Sequence, residues 1–167
     1  MEFEMMQLKN NLRELVTNPV LLAAAFAWLI AQIIKIFTSP SHRENISFLR
    51  FVLGSGGMPS SHSAAVCATC FSCGILYGYD SAIFAVSAVL AVVVMRDAAG
   101  IRREAGKQAQ VINQVSQELS KKRKTIMPTN LQELLGHTPL QVVFGGLLGL
   151  AMAYFCQCWL FLRLLPV

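Results

Sequence analysis

The chain has 167 residues, of which 54% are hydrophobic and only 14% are charged, and its mean hydropathy is +0.52. This composition excludes an ordinary soluble domain and predicts an integral membrane protein with a single domain over residues 1–167. The net charge of +5 comes from a few basic segments, so it describes local patches, and we expect no nucleic-acid partner.

The chain opens with a predicted interfacial helix and a membrane span. Four apolar residues of the first 18 recur at helical spacing: Leu8, Leu12, Leu15 and Val16. The apolar run from Pro19 to about Phe37 is close to the roughly 20 residues that a membrane helix needs. Lys35 near its end is either an anchor that reaches the membrane surface or a phosphate ligand.

Three further spans are predicted, at His62–Tyr77, Ala82–Met95 and Thr138 to about Leu162. Before the last span, apolar residues again recur at helical spacing: Ile101, Ala105, Ile112, Val115 and Leu119. They predict an amphipathic helix that lies on the membrane or packs over a site. The predicted fold class is therefore all-α: a polytopic membrane helical bundle of about four spans, with an interfacial N-terminal helix and a cytoplasmic amphipathic helix.

Basic residues predict the orientation. With four spans, the connections after the first and third lie on one side and carry most of the lysines and arginines, including the cluster at 121–124. The positive-inside rule assigns this side to the cytoplasm or its equivalent. We expect the same cluster to attract anionic lipid headgroups.

Cysteines and one glycine pair indicate helix packing. Cys67, Cys70 and Cys73 lie in an apolar helix with no nearby histidine or carboxylate to complete a metal site, which favours buried small residues over metal or redox chemistry. Gly145 and Gly149 are four residues apart. Helices can pack closely there, including as a contact between two copies in a homodimer.

The stretch 54–62 reads GSGGMPSSH and opens an apolar run. Four of its residues suit contacts with a phosphate group through the backbone or a hydroxyl: Gly56, Gly57, Ser60 and Ser61. Pro59 suits a first helical turn, and His62 can donate a proton near neutral pH. The alternative is a glycine-rich turn that only caps a membrane helix.

The stretch 136–145 reads GHTPLQVVFG and opens the last span. His137 and Gln141 are one helical turn apart, so the amide oxygen can accept a hydrogen bond from one imidazole nitrogen and leave the other to attack. The alternative is a purely structural pair at a helix start.

Between these two, residues 96–108 carry the cations that phosphoryl transfer needs around its oxygens: Arg102, Arg103 and Lys107. Asp97, at the end of a span, is expected to pair with an arginine or a histidine. A salt bridge that only holds the loop is the alternative.

Together, GGMPSSHSA, RDAAGIRREAGKQA and LGHTPLQVVFGG resemble the divergent branch of the type 2 phosphatidic acid phosphatase superfamily. That superfamily is related to acid phosphatases and vanadium-dependent haloperoxidases. The resemblance covers about residues 35–149. It implies that Lys35 binds phosphate, that Pro59-Ser-Ser-His62 supplies an acid histidine, and that His137 is the nucleophile.

The chain also departs from the superfamily pattern. Gln141 stands where the superfamily has aspartate, and the arginine that shortly precedes the nucleophilic histidine is absent. The resemblance assigns the arginine of the first motif to Arg50 or Arg43. The missing carboxylate charge is expected from Asp97 or Glu133.

The sequence thus predicts an integral membrane phosphatase that hydrolyses a lipid phosphate or diphosphate at the cytoplasmic face through a phosphohistidine intermediate. The expected partners are the lipid phosphate substrate and membrane lipids, and the scheme requires no cofactor or metal. The alternatives are a non-catalytic protein that binds or transports a lipid phosphate with the same basic residues, and a purely structural membrane subunit.

Overall fold

The computed structural model describes residues 1–38, 57–122 and 136–160, and the regular structure within these ranges is entirely helical. The helices in chain order are α1 (Glu2–Val16), α2 (Pro19–Thr38), α3 (Ser61–Tyr77), α4 (Ala82–Ala99), α5 (Ile101–Lys122) and α6 (Pro139–Tyr154). A π-helical segment, Phe155–Leu160, continues α6. The predicted all-α class is confirmed.

Three stretches have the length and apolarity to cross a membrane: α2, a stretch that contains α4, and α6 with the start of its π-helical extension. The fourth predicted span, α3, has 17 residues, the lower limit for crossing a hydrocarbon core about 30 Å thick. It packs against all three of the others. Large apolar side chains on the outside of the bundle are exposed, as lipid contact requires: Leu21, Val86, Val89, Val92 and Leu147.

Small side chains fill the interior of the bundle. Its central buried cluster consists of alanines on α2 and α3: Ala27, Ala31, Ala64 and Ala68. Leu148 and Met152 of α6 pack against this cluster. Because small residues let helix backbones approach closely, the spans gain dispersion contacts where the hydrophobic effect gives little. α3 is therefore the central helix, enclosed by α2, α4 and α6.

The close packing predicted at Gly145 and Gly149 is confirmed, and the partner is α3 of the same chain. A Cβ at Gly145 would collide with the carbonyl oxygen of Ser60, and one at Gly149 with that of Ala64. Since α3 covers these two glycines, they are not available for a contact between two copies.

One predicted helix boundary is wrong, and one predicted span continues as a helix beyond its apolar run. Ser60 is the N-cap of α3, so Pro59 lies before the helix and not in its first turn. The helix after Ser81 continues past the predicted end at Met95 to Ala99. Its last turn carries Arg96 and Asp97, which end the apolar run of the sequence without interrupting the helical backbone.

Both predicted amphipathic helices form. α1 has no buried residue, and its location at the membrane surface stays a prediction. α5 exposes its predicted apolar residues and buries Asn113 instead.

Candidate functional site

Four helix termini meet at one end of the bundle. α2 ends there, α3 begins there, and the short turn between α3 and α4 returns the end of α4 to the same side. The main-chain N–H of Ser60 donates to the carbonyl oxygen of Gln141 at 3.0 Å, and that of His137 donates to Ala98 at 3.1 Å. These two bonds hold the start of α6 beside the start of α3 and the end of α4.

Lys35 is buried in this region. Its side chain is only 1% exposed, and its Nζ donates to Ser61 Oγ at 3.0 Å. Among the described residues, no carboxylate forms an ion pair with it. An ammonium group carries three donors, and burying it is costly unless an anion compensates the charge. The contact between α2 and α3 therefore presents a cation suited to an anionic ligand.

The N-terminus of α3 lies against this lysine. Gly57 has a positive φ of 80°, which favours glycine at this turn. Ser60, fully buried, accepts hydrogen bonds at Oγ from Ser63 N at 3.3 Å and from Ser63 Oγ at 3.0 Å. Its hydroxyl thus caps the helix, whereas the next hydroxyl, of Ser61, contacts Lys35. The first N–H groups of the helix and its dipole add to the attraction for an anion.

His137 is buried just before α6, and Gln141 determines its tautomer. Gln141 Oε1 accepts from Thr138 N at 3.0 Å and lies 3.2 Å from His137 Nδ1. Because a main-chain N–H can only donate, the side-chain atom that faces both groups is the oxygen. In a neutral imidazole, this contact favours the tautomer with the proton on Nδ1 and the lone pair on Nε2. This is the nitrogen that a nucleophilic histidine needs.

A capping box at the start of α6 holds Gln141 in this position. Thr138 Oγ1 accepts from Gln141 N at 3.4 Å, while the Gln141 side chain accepts from Thr138 N. Two orphan donors of the helix start are satisfied in this reciprocal way. The same glutamine thus caps the helix and orients the histidine.

Of the other expected site residues, His62 lies in the first turn of α3 and Asp97 in the last turn of α4. The His62 side chain is exposed, although Ser61 and Ser63 on either side of it are buried. Asp97 is half-buried in the last turn of α4, next to Ala98, whose carbonyl oxygen accepts from the His137 backbone. Of the two motif histidines, His137 is therefore buried and His62 is exposed.

Comparisons with known proteins identify the family of the chain. Residues 16–152 match the family described as Divergent PAP2 family. The chain belongs to this family. It is also 42% identical over 156 residues to a protein of Bacillus subtilis (strain 168) named "Uncharacterized membrane protein YuiD", covering 85% of this chain and 98% of the relative. No solved structure matches the chain.

Several residues expected at a site of this divergent PAP2 protein are not placed by the structure. Arg50, Gly56 and the alternatives Arg43 and Glu133 lie outside the described residues, as does the end of the basic cluster at 123–124. The backbone at Arg102 and Arg103 is part of α5, and their side chains are not described. Lys107 is exposed, and its Nζ forms an ion pair with Glu104 at 2.7 Å.

Two contributors were missed by the sequence reasoning. Thr138 was not recognised as a cap, although Thr-Pro-Leu-Gln before an apolar run is a capping-box signature. Thr38 Oγ1 donates to the carbonyl oxygen of Met58 at 2.6 Å, which ties the end of α2 to the turn before α3. No local sequence pattern predicts the hydrogen bond from Thr38 to Met58, because it joins residues 20 positions apart.

Proposed function

We propose that this protein is a membrane phosphatase that hydrolyses a lipid phosphate or diphosphate through a phosphohistidine intermediate. The observation that carries the proposal is the orientation of His137, whose Nδ1 lies 3.2 Å from Gln141 Oε1. A histidine held in this tautomer presents Nε2 as a nucleophile. The buried Lys35 supports the same function, since it supplies a cation for the phosphoryl oxygens.

In the first step, the Nε2 lone pair of His137 attacks phosphorus and the bond to the leaving oxygen breaks. His62 gives its proton to that oxygen, and its solvent-facing position suits this exchange. Lys35, Ser61 and the first N–H groups of α3 hold the phosphoryl oxygens. Because the nucleophile keeps its Nδ1 proton, the phosphorylated imidazole is cationic, and Gln141 Oε1 continues to accept from it.

In the second step, water attacks phosphorus, His62 takes the water proton, and the Nε2–phosphorus bond breaks. Inorganic phosphate leaves and both imidazoles regain their starting protonation. Asp97, Arg102 and Arg103 are assigned to charge balance around the phosphoryl group. We assign Ser60 to the structure of the helix start and not to direct substrate contact, because its hydroxyl is fully buried and bonded to Ser63.

We place the reaction at the cytoplasmic face. The connections at the same end of the bundle as Lys35 and His137 contain most of the basic residues of the chain, and such residues favour the cytoplasmic side. The lipid phosphate would reach the site from the inner leaflet.

Phosphate release by the purified protein in detergent micelles tests the proposal. The substrates are phosphatidate, phosphatidylglycerophosphate and an isoprenyl diphosphate, and the variants are His137→Ala and His62→Ala. The matched control is His42→Ala, which changes the third histidine of the chain, to which we assign no role. We expect release from one substrate class that both site variants abolish and the control retains. Release that persists in His137→Ala would exclude the phosphohistidine scheme.

A protein that binds or transports a lipid phosphate without cleaving it is the second candidate. Gln141 favours it, because a neutral amide balances a cationic imidazole less well than a carboxylate does. No release from any substrate, together with retained binding of the same lipids by the wild type, would support this candidate.

A further inference from the structure

Helix α5 has three sides of different character, and the side turned inward is not the apolar one. Its least exposed residues recur along one side: Gly106, Ala109, Gln110, Asn113, Ser116 and Ser120. All of them are small or polar, and Asn113 is 6% exposed. A helix surrounded only by protein and water would instead turn its apolar side inward.

The apolar stripe of α5 comprises the large apolar residues on a second side: Ile101, Ile112, Val115 and Leu119. Each of them is between 45% and 70% exposed. At about 100° per residue, this stripe lies roughly a third of a turn from the inward side. The remaining third carries Lys107, Gln114 and Glu118, and Val111 lies at its border with the stripe; all four are exposed. The three sides thus suit protein, an apolar medium and water.

The position of α5 indicates which apolar medium this is. Only Gly100 separates α5 from α4. Because α4 lies within an apolar stretch able to cross the membrane, we expect the first turn of α5 to lie at the membrane surface. Five basic and two acidic residues occur along Ile101–Lys122, and this excess complements anionic headgroups. An apolar stripe on a helix with an excess of basic residues is typical of helices in the membrane interface.

We propose that the apolar stripe of α5 inserts into the headgroup and upper acyl region of the bilayer that the bundle spans, with anionic lipid as its preferred contact. A second copy of the chain is the other occupant to be tested, because the stripe residues and Gln108 follow the seam spacing of a two-helix coiled coil. This inference is independent of catalysis and holds equally for a phosphatase and for a binding protein.

Photo-crosslinking distinguishes these partners. p-Benzoylphenylalanine replaces Val115 in the apolar stripe or the neighbouring Gln114 on the charged side, in the full-length protein. Each variant is reconstituted into vesicles of phosphatidylcholine, with or without phosphatidylglycerol. We expect several-fold more lipid adduct from position 115 than from position 114, and a further increase with phosphatidylglycerol.

Three results would overturn the inference. A cross-linked dimer from position 115 would assign the stripe to a second copy, and equal lipid adducts from both positions would show that the stripe does not face the bilayer. A yield of lipid adduct from position 115 that does not change when phosphatidylglycerol is added would show that the stripe has no preference for anionic lipid. If the Val115 variant does not fold, Leu119 in the stripe and Glu118 beside it form an equivalent pair. The readout is the adduct, so it does not depend on phosphate release.

Discussion

Replacement of Gly149 by alanine should weaken the contact between α3 and α6. The new Cβ would collide with the carbonyl oxygen of Ala64 and lie 2.8 Å from Cys67 Cβ and 2.9 Å from Ala68 N. Two of these atoms belong to the α3 backbone, which cannot move aside as a flexible side chain can. The helices must therefore separate by several tenths of an ångström or more.

The expected cost follows from two opposing effects. Alanine gains about 1 kcal/mol over glycine in a helix interior, while overpacking of a dense core costs about 1–3 kcal/mol. Because the collision is with the backbone, we take the upper end of that range and expect a net loss of about 1–2 kcal/mol. For a protein of this size that corresponds to a fall in Tm of about 2–8 °C.

Gly146→Ala is the matched control, since its Cβ would lie 3.4 Å from Cys67 Sγ and 3.5 Å from Met95 Cε. These are ordinary contacts with flexible side chains, so Tm should be unchanged or raised. Thermal unfolding of both variants in the same detergent measures the difference. If Gly149→Ala proves as stable as Gly146→Ala, the close approach of α3 and α6 is not as described, and the position of His137 that depends on it must be reconsidered.

Three further predictions concern the site. Lys35→Met should abolish phosphate release and lipid-phosphate binding without lowering Tm, because it removes a buried charge with no described counter-ion. The control is Lys9→Met, which changes an exposed lysine of α1. A large fall in the Tm of Lys35→Met would contradict this account. Gln141→Glu keeps the capping box but places a carboxylate beside His137, which favours the protonated imidazole. The acidic limb of the pH–rate profile should therefore move to a pH about one unit higher. An unchanged profile would mean that residue 141 does not control the protonation of the nucleophile. Thr138→Val should lower the free energy of unfolding by about 1 kcal/mol and should lower kcat, whereas Thr138→Ser, which keeps the hydroxyl, should leave both close to the wild type. Equal kcat values for the two variants, measured by phosphate release, would exclude a positioning role for the hydroxyl.

Much of the bundle is predictable from the sequence because apolar length dominates the folding of membrane helices. The start of α2 at Pro19 and the end of α3 at Tyr77 coincide with the expected limits. Counting spans predicts that the two histidine motifs lie on the same face of the membrane, and the bond from Ser60 N to Gln141 O brings them side by side. α4 extends four residues beyond the predicted span because hydropathy marks where the apolar run ends, whereas the backbone continues its hydrogen bonds beyond that point.

Contacts between distant residues could not be predicted. The hydrogen bond from Lys35 to Ser61 joins residues 26 positions apart, and nothing in either motif specifies the partner of the other. The pairing of Gly145 and Gly149 with α3 is a similar case, because small-residue spacing predicts close approach but not whether the neighbour is in the same chain. The small and polar residues on the inward side of α5 could not be predicted from hydropathy alone. Such an argument considers only the protein interior and water, whereas this helix also has an exposed apolar side.

The alanine-filled interior bears on how a lipid would be recognised. Helices separated only by Ala27, Ala31, Ala64 and Ala68 are too close together to admit an acyl chain between them. If the site binds a lipid, this contact between α2 and α3 would exclude the tail, which would lie along the exposed valines and leucines of the bundle with the headgroup between the helix ends. Discrimination among ligands would then depend on the phosphate and its immediate substituent, with tolerance for tails of different length and saturation.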